Sequence, residues 1–298
     1  MYEAIIGQED LSHLSCLLKV NVDDLLVEPL SGGLSNRSFH LSHGEKQWAV
    51  RLPKNIEANR FQTLDTECEQ RLLAAVAHTG LTPRVVLYDP DTGALITEFL
   101  RNAVPWTPEK ARLPENVERI ATTLRSLHGI RVSPDLLSPF FPIQLAEKYL
   151  DMAHRSQRSE DRNLAVEEKR WEVELRRLAG LYEARFPPNA ICHHDLVAAN
   201  ILEDDQLWLL DFEYAMWADP VLDLASLSAM NDYDATQRSL LSQKYFDAEP
   251  VPFATEHLDD VVRLELLLSY FWAVSRRSEV EEADDLTRFA DSMAAMLR

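Results

Sequence analysis

A chain of 298 residues, 46% apolar and 27% charged, holds enough material for one large folded unit or two modest ones with a real core. Thirty lysines and arginines against 49 aspartates and glutamates leave a net charge of −19, which excludes general nucleic-acid binding because phosphate backbones require a basic footprint. The same field repels a nucleotide at long range, so a nucleotide site here needs local basic groups and a divalent cation.

Cys16, Cys68 and Cys192 form neither a disulfide framework nor a metal-knuckle spacing, as expected of a reducing compartment. No apolar run approaches the roughly 18 residues of a membrane helix. The opening Met1-Tyr2-Glu3-Ala4 lacks the basic segment of a signal peptide. A cytoplasmic protein without nucleic-acid or membrane partners is expected.

The first hundred residues read as a small mixed lobe. Ser31-Gly32-Gly33-Leu34-Ser35-Asn36 is a glycine turn between strand-like segments, able to lay backbone donors over phosphates but equally well explained as a hairpin turn. Trp48-Ala49-Val50-Arg51-Leu52 reads as a strand stopped by Pro53. Between Thr66 and Thr79, Leu72, Leu73, Val76 and Ala77 recur at helical spacing before Gly80. Residues 85–88 and 94–100 read as strands around the turn Asp89-Pro90-Asp91-Thr92-Gly93.

Prolines 105, 108 and 114 mark a change of character, and an inter-lobe connection is expected there, dividing the chain into 1–101 and 102–298. Beyond it helices dominate. One starts near Asn116 and stops at Gly129; others are expected over 162–182, 258–275 and 282–297. Asp219-Pro220 reads as a cap followed by proline at the first helical position. Strand-like segments return only around 190–213.

That return carries the polar constellation. In His193-His194-Asp195-Leu196-Val197-Ala198-Ala199-Asn200, a loop can fold Asp195 and Asn200 toward one point. If Leu207-Trp208-Leu209-Leu210 is a buried strand, Asp211 emerges at its end, where a carboxylate needs a cation or donors to offset desolvation. Asp195 then suits a hydroxyl-orienting base, and Asn200 with Asp211 suits Mg²⁺ beside a triphosphate. Solvated turn residues are the plain alternative for all three. Adjacent histidines in an extended stretch point to opposite sides and no third ligand stands at zinc spacing, so His193 is expected to brace the loop and His194 to be filler near it.

The runs Cys192–Leu202, Leu210-Asp211-Phe212-Glu213-Tyr214-Ala215 and Asp219-Pro220-Val221-Leu222-Asp223-Leu224-Ala225 resemble the choline/ethanolamine kinase and thiamine kinase branch of the aminoglycoside phosphotransferase-like superfamily. The resemblance extends from about Leu30 through the last helices and is specific over 193–225. It implies an α+β, protein-kinase-like two-lobed fold, with a small antiparallel-sheet N-lobe and a larger, mainly helical C-lobe. It also implies ATP and Mg²⁺ as cofactors.

Residue by residue, the resemblance makes Asp195 the catalytic aspartate and Asn200 and Asp211 the metal ligands. Gly32, Gly33, Ser35 and Asn36 fall at the phosphate-covering hairpin. Arg51 takes the place of the protein-kinase lysine, with Glu67 as its partner, and Glu98 and Phe99 fall at the hinge that meets adenine. Asp223 supports the loops, and His128 is structural.

An acceptor with a permanent positive charge calls for aromatic faces and local acid. Tyr214, Trp217, Tyr270 and Trp272 are the aromatic candidates, with Glu213 beside them. Trp217 departs from the smaller or polar residues usual there. The resulting expectation is an ATP-dependent kinase acting on a small cationic alcohol, choline first. Thiamine, an aminoglycoside or other small alcohol, and a silent kinase-like binding protein are the alternatives. Either a monomer or a homodimer is compatible.

Overall fold

The computed structural model describes residues 6–30, 36–54, 66–133, 136–156, 162–247, 255–276 and 283–298. Helix α1 (Gln8–Leu18) precedes five strands, β1 (Leu26–Pro29), β2 (Asn36–His43), β3 (Lys46–Pro53), β4 (Val85–Asp89) and β5 (Ala94–Glu98), with α2 (Thr66–Ala77) inserted before β4. The strands form one antiparallel sheet in the order β1-β2-β3-β5-β4. Alternation does the sorting. Along β3, Trp48, Val50 and Leu52 are buried in a core shared with Leu14, Phe39, Leu41 and Ile96, so Ala49 and Arg51 face the opposite side of the sheet. Gly80 and Gly93 take left-handed backbone just past α2 and in the β4–β5 turn, as their positions in the sequence require.

The larger lobe begins with the short strand β6 (Val104–Pro105) and helices α3 (Pro108–Ala111), α4 (Pro114–His128), α5 (Pro142–Ser156) and α6 (Arg162–Arg185). Strands β7 (Ala190–Cys192), β8 (Ile201–Glu203), β9 (Leu207–Leu209) and β10 (Met216–Ala218) follow, then helices α7 (Val221–Met230), α8 (Ala235–Phe246), α9 (Thr255–Arg276) and α10 (Ala283–Leu297). The result is a two-lobed α+β fold, with a small antiparallel sheet and a larger helical lobe.

Proline at its first turn starts α4, and Val117, Ile120, Ala121, Leu124 and Leu127 bury one face of it; each buried leucine contributes about 1.5–3 kcal/mol. Asp219 accepts the N–H of Val221 at 2.9 Å, capping α7 one residue later than the sequence suggests. Helix α9 is apolar nearly all round because α5, α6, α7 and α10 all pack on it. Among the described residues no helix is long and apolar enough to cross a membrane.

Two small sheets hold the loops in place. Strand β7 pairs with β10, setting Cys192 opposite Met216, and β8 pairs with both β6 and β9. The loop from His193 to Asn200 leaves β7, and the turn carrying Asp211 leaves β9. Both therefore open toward the face of the first sheet that carries Arg51.

Candidate active site

The loop after β7 hangs on helix α7. The Asp223 carboxylate accepts the backbone N–H groups of His193 and His194, both at 2.8 Å, and also faces His128 Nε2 at 2.9 Å. One helical turn on, Ser226 Oγ accepts the N–H of Leu196, and Asn231 donates to the Leu196 carbonyl at 2.8 Å. Burial opposes ionisation of Asp223, but the hydrogen bond and charge of His128 more than offset it and hold the carboxyl below its usual range.

The two histidines have different surroundings. His193 is fully buried; its Nε2 donates to the Leu210 carbonyl at 2.8 Å while Nδ1 accepts the N–H of Asp195 at 3.3 Å. Burial pushes its pKa down, so it braces the loop as the neutral ring. His194 is not filler. It adopts left-handed backbone, φ 62°, and sets Nε2 3.2 Å from Glu265 Oε1 on α9. The expectation for it fails because it assumed an extended stretch and could not foresee that packing brings Glu265 of α9 beside the ring.

Asp195 lies beyond, with Asn200 Nδ2 donating both to its carbonyl (3.0 Å) and to Oδ2 (2.8 Å). Burial pushes the Asp195 carboxyl up to about 7, and Asp211 adds to the shift while Asn200 and His194 oppose it. The value suits proton transfer near neutrality better than an ordinary carboxylate would.

Asp211 also takes left-handed backbone, φ 64°. Arg51 reaches it across the lobes, Nη1 to Oδ1 at 2.5 Å, and holds Glu69 with Nη2 at 2.7 Å. Glu69, on α2 two positions beyond the Glu67 that the sequence suggests as partner, is 3% exposed and also accepts a hydrogen bond from Tyr88 Oη at 3.1 Å. The side chain of Glu67 lies outside the described residues. Burial works against the Arg51 charge, yet Glu69, Asp211 and Glu213 together hold its pKa well above the ordinary value.

Glu213 is buried two residues past Asp211. Burial and the Asp211 charge push it up to about 8, partly relieved by Arg51 and Asn36. Asn36 Nδ2 reaches Asp211 Oδ2 at 3.5 Å, and its buried Oδ1 has no partner among the described residues. Two crowded carboxylates and two amide oxygens, those of Asn36 and Asn200, make an oxygen-only donor set that fits a hard divalent cation such as Mg²⁺. Glu213 thus sits with this group, and it lines the same cavity as the neighbouring Tyr214.

These residues line one cavity of about 600 Å³. Its sheet end is bounded by Leu30, Ala49, Leu95, Thr97, Glu98, Phe99 and Leu100. The Glu98 N–H bonds the Arg84 carbonyl at 3.0 Å and the Phe99 N–H the Gln47 carbonyl at 3.4 Å, whereas the Leu100 N–H has no partner among the described residues. The Glu98 side chain pairs with Arg84, and the Phe99 ring stacks on His40 at 3.9 Å. The helical end is bounded by Leu145, Tyr149, Tyr214, Glu265, Leu268, Ser269, Trp272 and Phe289.

Of the aromatic candidates, Tyr214 and Trp272 line this cavity and two do not. Tyr270 is 1% exposed, with Oη on Glu168 at 2.6 Å and its ring edge-on to Trp171. Two residues along a helix turn a side chain by roughly 200°, so Tyr270 and Trp272 face opposite sides of α9. Trp217, on β10, pairs with Ile191 and packs beside Pro139 at the edge of the core. Gly32, Gly33 and Ser35 lie outside the described residues.

Sequence reasoning missed Glu69, Glu265, Tyr149 and Phe289. Only Glu265 carried a signal, as a lone acid in the apolar run from Val261 to Phe271 broken otherwise by Arg263, Ser269 and Tyr270.

Comparison with known proteins agrees with this architecture. A human choline/ethanolamine kinase is 27% identical over 254 residues, covering 80% of this chain; the chain spans only 62% of that relative's length. The crystal structure of the choline kinase LicA from Streptococcus pneumoniae superposes with a TM-score of 0.75 at 20% identity, covering 97% of this chain and 98% of the other. A LicA structure in complex with AMP gives the same TM-score, 0.75, at 20% identity, covering 97% and 96%. The family model described as "Phosphotransferase enzyme family" matches residues 26–256, a stretch that contains the sheet, Arg51, Asp195, Asn200 and Asp211. The chain belongs to the phosphotransferase enzyme family.

Proposed function

We propose that this protein is an ATP- and Mg²⁺-dependent kinase that transfers the γ-phosphoryl group to the hydroxyl of a small cationic alcohol, choline first. The observation that carries the reading is the position of Asp195, between a sheet-lined end and an aromatic, acid-bearing end of one cavity. The relatives named as choline and choline/ethanolamine kinases support the same acceptor class. The lobes divide at residue 101, ahead of β6.

The sheet end takes the nucleotide. Leu100 N–H serves as the hinge donor to adenine, with Glu98 and Phe99 supplying walls. Arg51 contacts phosphate and fixes Asp211. Asn200 and Asp211 would hold Mg²⁺, with Asn36 and Glu213 beside them. Bound there with the triphosphate, Mg²⁺ supplies neutralisation of charge on the phosphate oxygens.

Asp195 accepts a hydrogen bond from the acceptor hydroxyl and orients its oxygen. The proton passes to the carboxylate late, as the bond to phosphorus forms. Tyr149, Tyr214, Trp272 and Phe289 offer ring faces to the cation. A phosphotransfer screen with Mg²⁺ and ATP against choline, ethanolamine, thiamine, sugars and aminoglycosides tests the reading. Choline should give the highest kcat/KM; transfer to none of them sinks the kinase assignment, and a sugar as the best acceptor sinks the cationic one.

The opposite faces of α9 give a paired prediction. Trp272→Leu raises KM for the cationic acceptor about tenfold, the loss of ~1–2 kcal/mol of cation–π contact. Tyr270→Phe leaves KM alone and lowers stability by about 1–2 kcal/mol, since Glu168 loses its hydroxyl donor. Steady-state kinetics and urea denaturation of the two variants separate the roles. An unchanged KM in Trp272→Leu removes that ring from the acceptor pocket.

A further inference from the structure

We propose that His194 and Glu265 form a proton-coupled selector in the acceptor half of the cavity. Neutral His194 leaves the Glu265 carboxylate charged toward a cationic alcohol, and protonated His194 cancels that charge. The proposal rests on the cationic-acceptor reading and adds to it a means by which pH sets acceptor preference.

The geometry puts both partners where this matters. His194 Nε2 and Glu265 Oε1 are 3.2 Å apart, their side chains are only 11% and 4% exposed, and both line the cavity. The imidazole packs against Phe140, with ring centres 5.1 Å apart. The rest of that end, Leu145, Tyr149, Tyr214, Leu268, Ser269, Trp272 and Phe289, is apolar or neutral. Glu265 is therefore the carboxylate that sets the field at that end among the described residues.

The charges around the pair come from each element packed on it. Asp223 on α7 binds the N–H of His194, and Asp195 follows it in the chain. Burial opposes the imidazolium, but Glu265, then Asp223 and Asp195, outweigh burial and raise the His194 pKa above its ordinary value. Around Glu265 stand Tyr149 on α5, Tyr182 on α6 and Cys192 on β7, all pushed up chiefly by burial and so neutral, with Arg276 opposing the shift of Tyr149. Arg276, further along α9, stands with its guanidinium over the Trp272 ring, 5.3 Å from the centroid.

A cation brought to Glu265 and a proton on His194 then compete. Below the His194 pKa the pair is neutral and the acceptor binds weakly; above it Glu265 is unscreened and KM falls. Acceptor binding in turn releases a proton from His194, because linkage is reciprocal. Asp195 titrates in the same region, but as the hydroxyl-orienting group it acts at the opposite end of the acceptor from the cation.

The test compares KM for choline and for its uncharged isostere 3,3-dimethylbutan-1-ol between about pH 5 and 9, which spans the ordinary histidine range and leaves room for the upward shift. Wild-type protein should show KM for choline falling about tenfold as pH rises, with no matching change for the isostere. His194→Asn, which accepts left-handed backbone, should make the choline KM low and flat; Glu265→Gln should make it high and flat. In ¹⁵N-histidine-labelled protein, the His194 titration should move down in Glu265→Gln. A choline KM whose pH dependence tracks that of the isostere, or survives in His194→Asn, overturns the selector while leaving the kinase reading intact. An unmoved His194 titration overturns the pairing independently of turnover. If the isostere outperforms choline at every pH, the cationic-acceptor reading fails, and the selector with it.

Discussion

Asp195→Asn is expected to lower kcat by about a thousandfold, within the range that a positioned acid–base group contributes, while the protein stays folded and melts higher at alkaline pH. An amide still fills the place beside Asn200 but takes no proton from the acceptor hydroxyl. The stability gain follows from the same burial that tunes the group. In the unfolded chain this carboxyl ionises near its ordinary value of 3.8; in the fold, burial and then Asp211 push it up to about 7. The native state therefore binds the extra proton. The stabilisation that this gives is complete below the unfolded pKa and is lost as pH rises through about 7.

At about pH 8 the charged form costs the protein without ligands on the order of a few kcal/mol, which the amide recovers. Melting curves at about pH 4 and 8 should show a gain for Asp195→Asn only at the higher pH, and wild-type kcat/KM should decline as pH falls below about 7. A variant that retains a tenth of wild-type kcat, or melts lower at pH 8, contradicts this account of the site.

Arg51→Met is expected to cost about 3–5 kcal/mol, a fall in melting temperature on the order of 10 °C, because it strands carboxylates that the guanidinium now compensates. Glu69 is 4% exposed at its side chain and Asp211 21%, and Glu213 lies beside them. Tyr88 alone cannot offset the Glu69 charge. Arg51→Lys keeps the charge but loses the fork that spans two partners, and should fall between wild type and Arg51→Met. Adding Glu69→Gln to Arg51→Met should restore part of the loss, since the two changes share one ion pair. Thermal melts of the four proteins check this; equal melting of Arg51→Met and wild type contradicts a structural role for the pair. Activity should fall in every one of these variants, because Asp211 loses its orientation.

The strand at 48–52, the helix ending near Gly80 and the α4 stop at Gly129 were legible because each depends on local rules of periodicity and turn chemistry. Helices α1, α5 and α8 were not singled out, since their short apolar stripes are interrupted by polar and charged residues. Within the site, Asp195, Asn200 and Asp211 could be read together because a short loop and a strand end bring them close in sequence. Arg51's buried partner Glu69 was not singled out, as nothing in Glu67-Cys68-Glu69 says which acid a helix will turn inward, and the side chain of Glu67 lies outside the described residues. The acceptor end was harder still: Tyr149, Glu265 and Phe289 come from three helices, and only packing brings them to one cavity. Trp217 and Tyr270 show the converse, candidate aromatic residues that the core absorbs.

His194 and Asp211 both stand on left-handed backbone, and this bears on what the site can tolerate. Where a side chain is aimed by its own rotamer, insertions nearby can be absorbed by a compensating rotation. Here the main chain does the aiming, so the number of residues between anchor points matters more than which residues they are. One residue added between Leu210 and Asp211, or between His193 and Asp195, would swing the carboxylate out of register with its partners. Such a protein should fold normally yet be inert, whereas many point substitutions on the same turns should only tune it.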